Sequence, residues 1–142
     1  MKRSNPKHVK TAWIHRGSEK KEMPWGFEIS WSALPGIHGK TLFINAGCRT
    51  SLKYHKLKSE VLYIMKGNAE ITFGSELSIT SNPDHNLNVE ILKEGDTLYV
   101  QSGCPYRINA ISDCKIIEVG NHSGDHPIRI EDDYGRSIVQ ES

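Results

Sequence analysis

Four residues of this chain have the types and spacing to do chemistry together. Lys53, His55 and Glu60 lie in the stretch GCRTSLKYHKLKSEVLYIMKG at 47–67, and Tyr106 lies in GDTLYVQSGCPYRINA at 95–110. Side chains of a strand alternate faces, so Ser51, Lys53, His55 and Leu57 project to one side and Tyr54 and Lys56 to the other. A carboxylate at Glu60, returning on the next strand after a short turn, converges on the same point. An imidazole and a carboxylate meeting there suit zinc, iron, manganese or cobalt. The plain alternative is a hydrogen-bonded structural pair of His and Glu. The same alternation puts Tyr106 and Ile108 on one face and turns Arg107 away from the pocket. Taken alone, Tyr106 reads as a core aromatic whose hydroxyl finds a partner.

The elements that must position these groups read as short strands. Residues 23–31, MPWGFEISW, alternate Trp25, Phe27, Ile29 and Trp31 with smaller or polar residues, a half-buried strand pattern that ends before Pro35 and Gly36. Residues 38–46 resume it with Leu42 and Ile44 on one face. Further strands are expected at 69–73, 89–92, 97–101, 106–111 and 115–119. Residues 75–88 mix weak strand character with a turn at Ser81, Asn82, Pro83 and Asp84. Many short strands, turn clusters between them and no helical period argue for an all-β sandwich or barrel, with a double-sheet jelly roll as the expected version.

Composition sets the outer bounds. A chain of 142 residues is one domain with a sizeable core, and a net charge of +1 provides no field that argues for nucleic acid. Residues 1–22 form a polar, basic arm carrying Lys2, Arg3, Lys7, Lys10, Arg16, Lys20 and Lys21, read as a solvated segment that adds at most an edge strand; residues 23–142 form the domain. Cys48, Cys104 and Cys114 are odd in number and lack CxxC pairing, which fits a reducing compartment. No apolar run has the length of a signal peptide core or a membrane span, so a cytoplasmic protein that contacts no membrane is expected.

Two motifs carry a resemblance. Gly47, five residues, Lys53, one residue, His55, four residues, Glu60, six residues and Gly67 follow the grid of the first cupin motif; Gly95, five residues, Gln101, one residue, Gly103, two residues and Tyr106 follow the second. The resemblance implies a single cupin-type double-stranded β-helix, a jelly-roll barrel, with His55 and Glu60 at metal-ligand positions. Within the cupins the chain resembles the mannose-6-phosphate isomerase domain of bifunctional type II enzymes, through PWG at 24–26, TSLKYH at 50–55 and IRIEDDYGR at 128–136. Read by itself, that last run is a charged, solvated tail.

The departures shape the functional reading. Lys53 stands where that family has a Gln ligand, Tyr106 where it has a His ligand, and Lys58 where it has an Arg. The Gln101 position is usually proline, and the closing asparagine falls on Ala110, beside Asn109. The expected cofactor is a divalent metal (zinc, cobalt, manganese or iron) at His55 and Glu60, or none, because an ammonium at Lys53 repels a cation. Three function classes stay open: an aldose–ketose isomerase acting on a sugar phosphate; a metal-free sugar-nucleotide epimerase or ketoisomerase using His55 and Tyr106 as acid and base with Lys53 as the charge; and a cupin that only binds carbohydrate. Lys53, His55 and Tyr106 are the expected catalytic groups and Lys58 the expected phosphate contact. A homodimer is expected from the family, with the Trp-rich segment 25–31 as one source of apolar surface.

Overall fold

In the computed structural model, residues 9–80, 86–121 and 126–136 are described. The expected turn at Ser81 to Asp84 and the basic residues Lys2, Arg3 and Lys7 lie outside them. Eleven strands form among the described residues: β1 (Lys20–Met23), β2 (Gly26–Leu34), β3 (Ile37–Ile44), β4 (Leu52–Tyr54), β5 (Glu60–Lys66), β6 (Ala69–Phe73), β7 (Asn88–Leu92), β8 (Thr97–Val100), β9 (Tyr106–Ala110), β10 (Cys114–Gly120) and β11 (Ile128–Glu131). Every pairing is antiparallel, in a six-stranded sheet ordered β1-β2-β3-β10-β5-β8 and a five-stranded sheet ordered β11-β4-β9-β6-β7. This is the all-β jelly roll expected from the pattern.

The inward faces of the six-stranded sheet change character along their length. On β3 the inward positions run His38, Lys40, Leu42, Ile44; on β10 they run Cys114, Ile116, Glu118. The ladder aligns Leu42 with Ile116 and Ile44 with Cys114 at one end, and Lys40 with Glu118 at the other. The apolar half packs with Leu62 and Ile64 of β5 against Ile71, Ile108 and Tyr106 of the facing sheet, which together form the core. The charged half cannot close on itself without burying unpaired groups, and that half holds the cavity.

Two turns show why the motif residues stand where they do. Gly26 opens β2 at a φ of +152°, and a side chain there would collide with the Phe43 carbonyl oxygen of β3. The PWG run is thus a chain entry that lets Trp25 drop into the core, where it is 4% exposed. Gly103, at a φ of +85°, lets its amide donate to the His55 carbonyl at 2.6 Å. That bond ties the second motif to the first.

Three expectations need correction. Residues 75–88 contain a short 3-10 turn at Glu76–Ile79, capped by the Ser75 hydroxyl, where weak strand character was read. IRIEDDYGR is no solvated tail: Ile128 and Arg129 pair with Tyr54 and Lys53 as part of strand β11. Asp133 pairs with Arg49, and the Tyr134 hydroxyl donates to the Arg49 carbonyl at 2.8 Å. Leu57 does not share the inward face of Lys53 and His55, because β4 ends at Tyr54 and Leu57 is exposed. The arm contributes β1, which pairs with β2 at the sheet edge.

Candidate functional site

Between the sheets lies a cavity of about 410 Å³. Its floor is built from β4, whose alternation points Ser51, Lys53 and His55 inward, and from β3 and β10, which bring His38, Lys40 and Glu118. The wall carries four lysines (Lys21, Lys40, Lys53, Lys58), two arginines (Arg129, Arg136) and three histidines (His38, His55, His126), against two carboxyl groups, Glu28 and Glu118. That imbalance makes it an anion-attracting cavity in a chain of near-zero net charge.

The four expected residues come together. The Tyr106 hydroxyl donates to Glu60 Oε1 at 2.9 Å, His55 Nε2 lies 3.7 Å from the same oxygen, and Lys53 Nζ sits 4.6 Å from the centre of the Tyr106 ring. They do not stand equivalently. Lys53 and His55 line the cavity, whereas Glu60 and Tyr106 lie behind them. Burial, and then the Glu60 charge, push the Tyr106 phenol well above its usual range, so it remains a donor to Glu60. Tyr106 therefore holds Glu60 from behind the cavity wall.

Lys58, expected as the phosphate contact, is buried and bridges two carboxyl groups, 3.0 Å from Glu60 Oε2 and 3.2 Å from Glu118 Oε2. Glu60 and Glu118 lie close enough, on either side of Lys58, to act on each other's charge. Two adjacent buried carboxyls oppose each other's ionisation, and their surroundings decide which one is raised. Burial and the neighbouring Glu60 charge raise Glu118. Burial alone would raise Glu60 as well, but Lys58 first, then Glu118 and Lys53, hold it below the usual carboxylate range. Of the two, Glu118 is the carboxyl pushed toward its protonated form, and it is the one facing the cavity. Lys40, against the pull of burial, is held charged by Glu118 and by Glu28, which lies 2.9 Å away. Lys53 behaves oppositely: burial lowers it from 10.5 to about 8, only partly opposed by Glu60 and Glu118.

Residue-by-residue reading missed His38, Lys40, Glu28, Glu118 and the two arginines. The signal for His38 and Lys40 was available, since they precede Leu42 and Ile44 at the same two-residue spacing on β3. Arg107, by contrast, turns away from the cavity as alternation requires. It is buried, donates from Nε to the Thr50 carbonyl at 2.8 Å and reaches Asp133 at 3.6 Å, holding the C-terminal run against the sheet. That docking brings Arg129 and Arg136 to the cavity. Two buried nitrogens on the cavity-lining residues, His38 Nδ1 and Arg129 Nε, have no hydrogen-bond partner among the described residues. Buried polar atoms are rarely left so unless a ligand or water completes them.

A divalent metal does not fit this side-chain arrangement. His55 and Glu60 are adjacent as expected, but Glu60 Oε1 already accepts from Tyr106 and Oε2 is ion-paired to Lys58 at 3.0 Å. Among the described residues no three His, Cys, Asp or Glu side chains gather closely enough to hold a metal ion. The Lys58 ammonium approaches Glu60 where a cation would have to sit.

No family model and no curated protein matches the chain. Solved structures do. It is similar to oxalate decarboxylase from Bacillus subtilis, with a TM-score of 0.68 and 16% identity over 88% of this chain and 35% of that one. It is also similar to an RmlC-like cupin from Shewanella frigidimarina, with a TM-score of 0.64 and 11% identity over 82% of this chain and 94% of that one. The chain spans about a third of the length of the oxalate decarboxylase chains that it matches. No helix among the described residues is long and apolar enough to cross a membrane. At these identities the likeness speaks for architecture, and with the two antiparallel sheets and the motif spacing it establishes that the chain has the cupin fold.

Proposed function

We propose that the chain is a metal-independent aldose–ketose isomerase of the mannose-6-phosphate type, acting on a small phosphorylated sugar held in the cavity. The observation that carries this reading is the wall itself: six Lys and Arg side chains and three histidines against two carboxyl groups, around a volume of about 410 Å³. A volume of that order suits a sugar phosphate, since small-molecule cavities begin at roughly 300 Å³. Arg129 offers a planar guanidinium donor for phosphate oxygens, the role the sequence reading gave to Lys58, while Arg136, whose Nε and Nη2 donate to Asp132, stands beside it at the cavity wall. His55, steadied by Glu60 and through it by Tyr106, moves a proton between neighbouring carbons. The Lys53 ammonium stabilises the oxyanion of the enediolate that forms between the two transfers. The soluble form expected for this reading is a homodimer in the cytoplasm.

A second reading, a metal-free sugar-nucleotide epimerase or ketoisomerase, is favoured by the same Lys53, which puts a positive charge at the position the cupin motif gives to a metal ligand. One experiment orders the possibilities. The protein is incubated with mannose 6-phosphate in deuterium oxide, with and without EDTA, and followed by proton NMR. We expect loss of the signal from the carbon next to the aldehyde, insensitive to EDTA and slowed about a hundredfold or more in His55→Gln. Binding without exchange would leave the carbohydrate-binding cupin, and absence of binding would move the search to sugar nucleotides.

A further inference from the structure

Three lysines reach deep into the cavity, and the structure treats one of them differently. Lys40 is held by Glu28 at 2.9 Å and approaches Glu118 at 3.8 Å. Lys58 is held by Glu60 at 3.0 Å and Glu118 at 3.2 Å. These two lysines engage every carboxyl group at the floor. Lys53 has no carboxylate at ion-pair distance among the described residues; its Nζ lies over the face of the Tyr106 ring, 4.6 Å from the centroid. Its strand neighbours on either side are Tyr106 of β9 and Arg129 of β11. His55, two residues on, shares its face.

From this placement we infer that Lys53 is a nucleophilic amine that forms an imine with the carbonyl group of an anionic aldehyde or ketone bound in the cavity. An amine desolvated among other cations and free of a carboxylate partner is the arrangement in which lysine serves as a carbonyl nucleophile. The Lys53 Nζ lone pair adds to the carbonyl carbon, a proton passes from that nitrogen to the carbonyl oxygen, and a carbinolamine results. That hydroxyl then leaves as water, with a proton delivered by the His55 imidazolium, and the carbon–nitrogen double bond remains. Amine and carbonyl thus give imine and water, with no oxidant or reductant. Arg129, whose Nε lacks a partner among the described residues, sits beside Lys53 in register and is placed to hold the anionic end of the same molecule. The inference rests on the proposed anion-binding cavity for what enters, and not on the isomerisation step.

The test is reductive trapping. The full chain is incubated with D-glyceraldehyde 3-phosphate and sodium cyanoborohydride, then digested and mapped by mass spectrometry, with glycerol 3-phosphate binding measured in parallel by calorimetry. The expected result is a reduced adduct on Lys53 that forms before any on the exposed Lys56, and that is lost in both Lys53→Gln and Lys53→Arg. The arginine variant keeps the charge and most of the length, and its far-ultraviolet circular dichroism confirms the fold. An adduct that is spread over exposed lysines, or that survives in Lys53→Arg, overturns the inference. If glycerol 3-phosphate binds and Lys53 is never trapped, the amine inference fails while the anion-binding reading stands. If uncharged D-glyceraldehyde traps Lys53 as fast as its phosphate and glycerol 3-phosphate does not bind, the nucleophile is upheld and the phosphate reading fails.

Discussion

Lys53 and Lys58 are both lysines on one short stretch, and their surroundings give them opposite tasks. Lys58 neutralises two buried carboxyl groups. Lys58→Met leaves the Glu60 charge with the Tyr106 hydroxyl as its main donor, and breaking a buried pair from one side costs about 3–5 kcal/mol. Urea unfolding should show that loss; a loss of a few tenths, as at a solvated lysine, would reject the bridge. Lys53 is protonated up to about 8 in the folded chain but up to 10.5 when unfolded. Between those values the unfolded state binds more protons, so stability rises with pH, by on the order of 3 kcal/mol in total. Lys53→Gln lacks this term. Its stability relative to the parent should therefore be highest at pH 7 and decline as pH passes from 8 to 10.5; a difference that stays flat across that range would contradict the buried amine. A third outcome concerns the ligand set. The parent protein should give no heat with cobalt in calorimetry, and Lys53→Gln combined with Tyr106→His, which removes one ammonium and adds an imidazole, should bind it measurably. Failure of the double variant to bind would reject the inherited ligand set and favour the carbohydrate-binding alternative.

At the scale of elements, the site depends on strands whose inward faces change from apolar to charged at one level. The entry to β2 is the most constrained link, because Gly26 has both a positive φ and no room for a side chain against Phe43. Gly26→Ala should destabilise by about 3 kcal/mol or more, from backbone strain together with displacement of the β2–β3 ladder. Equilibrium unfolding measures it, and a change within experimental error would mean that the turn relaxes without cost. Strand β11 is the other decisive element. It pairs with β4 through Arg129 and Lys53, and the buried Arg107 and the exposed Arg49 anchor the turn that follows it. The cationic wall thus depends on a segment distant in sequence from both cupin motifs.

For the whole molecule, the outward face of the six-stranded sheet bears on assembly. Val61, Tyr63 and Met65 of β5, Tyr99 of β8 and Val119 of β10 are exposed there, with Val61 in register with both Tyr99 and Val119. The Trp-rich segment contributes less than its composition promised: Trp25 is in the core, and Trp31 lies across Gly39 with its indole donating to Thr41 at 3.0 Å. A contiguous apolar row on one sheet face is what an isologous pairing requires. We expect sedimentation to report a dimer and Tyr63→Lys with Tyr99→Lys to yield monomers; a parent protein that stays monomeric across the accessible concentrations would dismiss this face as an interface.

The sequence by itself determined the strand alternation, the jelly-roll class and the convergence of Lys53, His55, Glu60 and Tyr106. These follow from a period of two and from turns written in glycine, both local properties of the chain. It could not decide which of those four meets solvent, because depth in a sandwich depends on what the facing sheet places in front of each group. Nor could it show that Glu60 and Glu118 act on each other, since they are 58 positions apart and coupled only where β5 and β10 lie side by side. The protonation of each buried charge, and with it the chemistry open to the cavity, is set by neighbours drawn from β3, β4, β5 and β10 at once. Only the tertiary structure brings those neighbours within the few ångströms over which desolvated charges act.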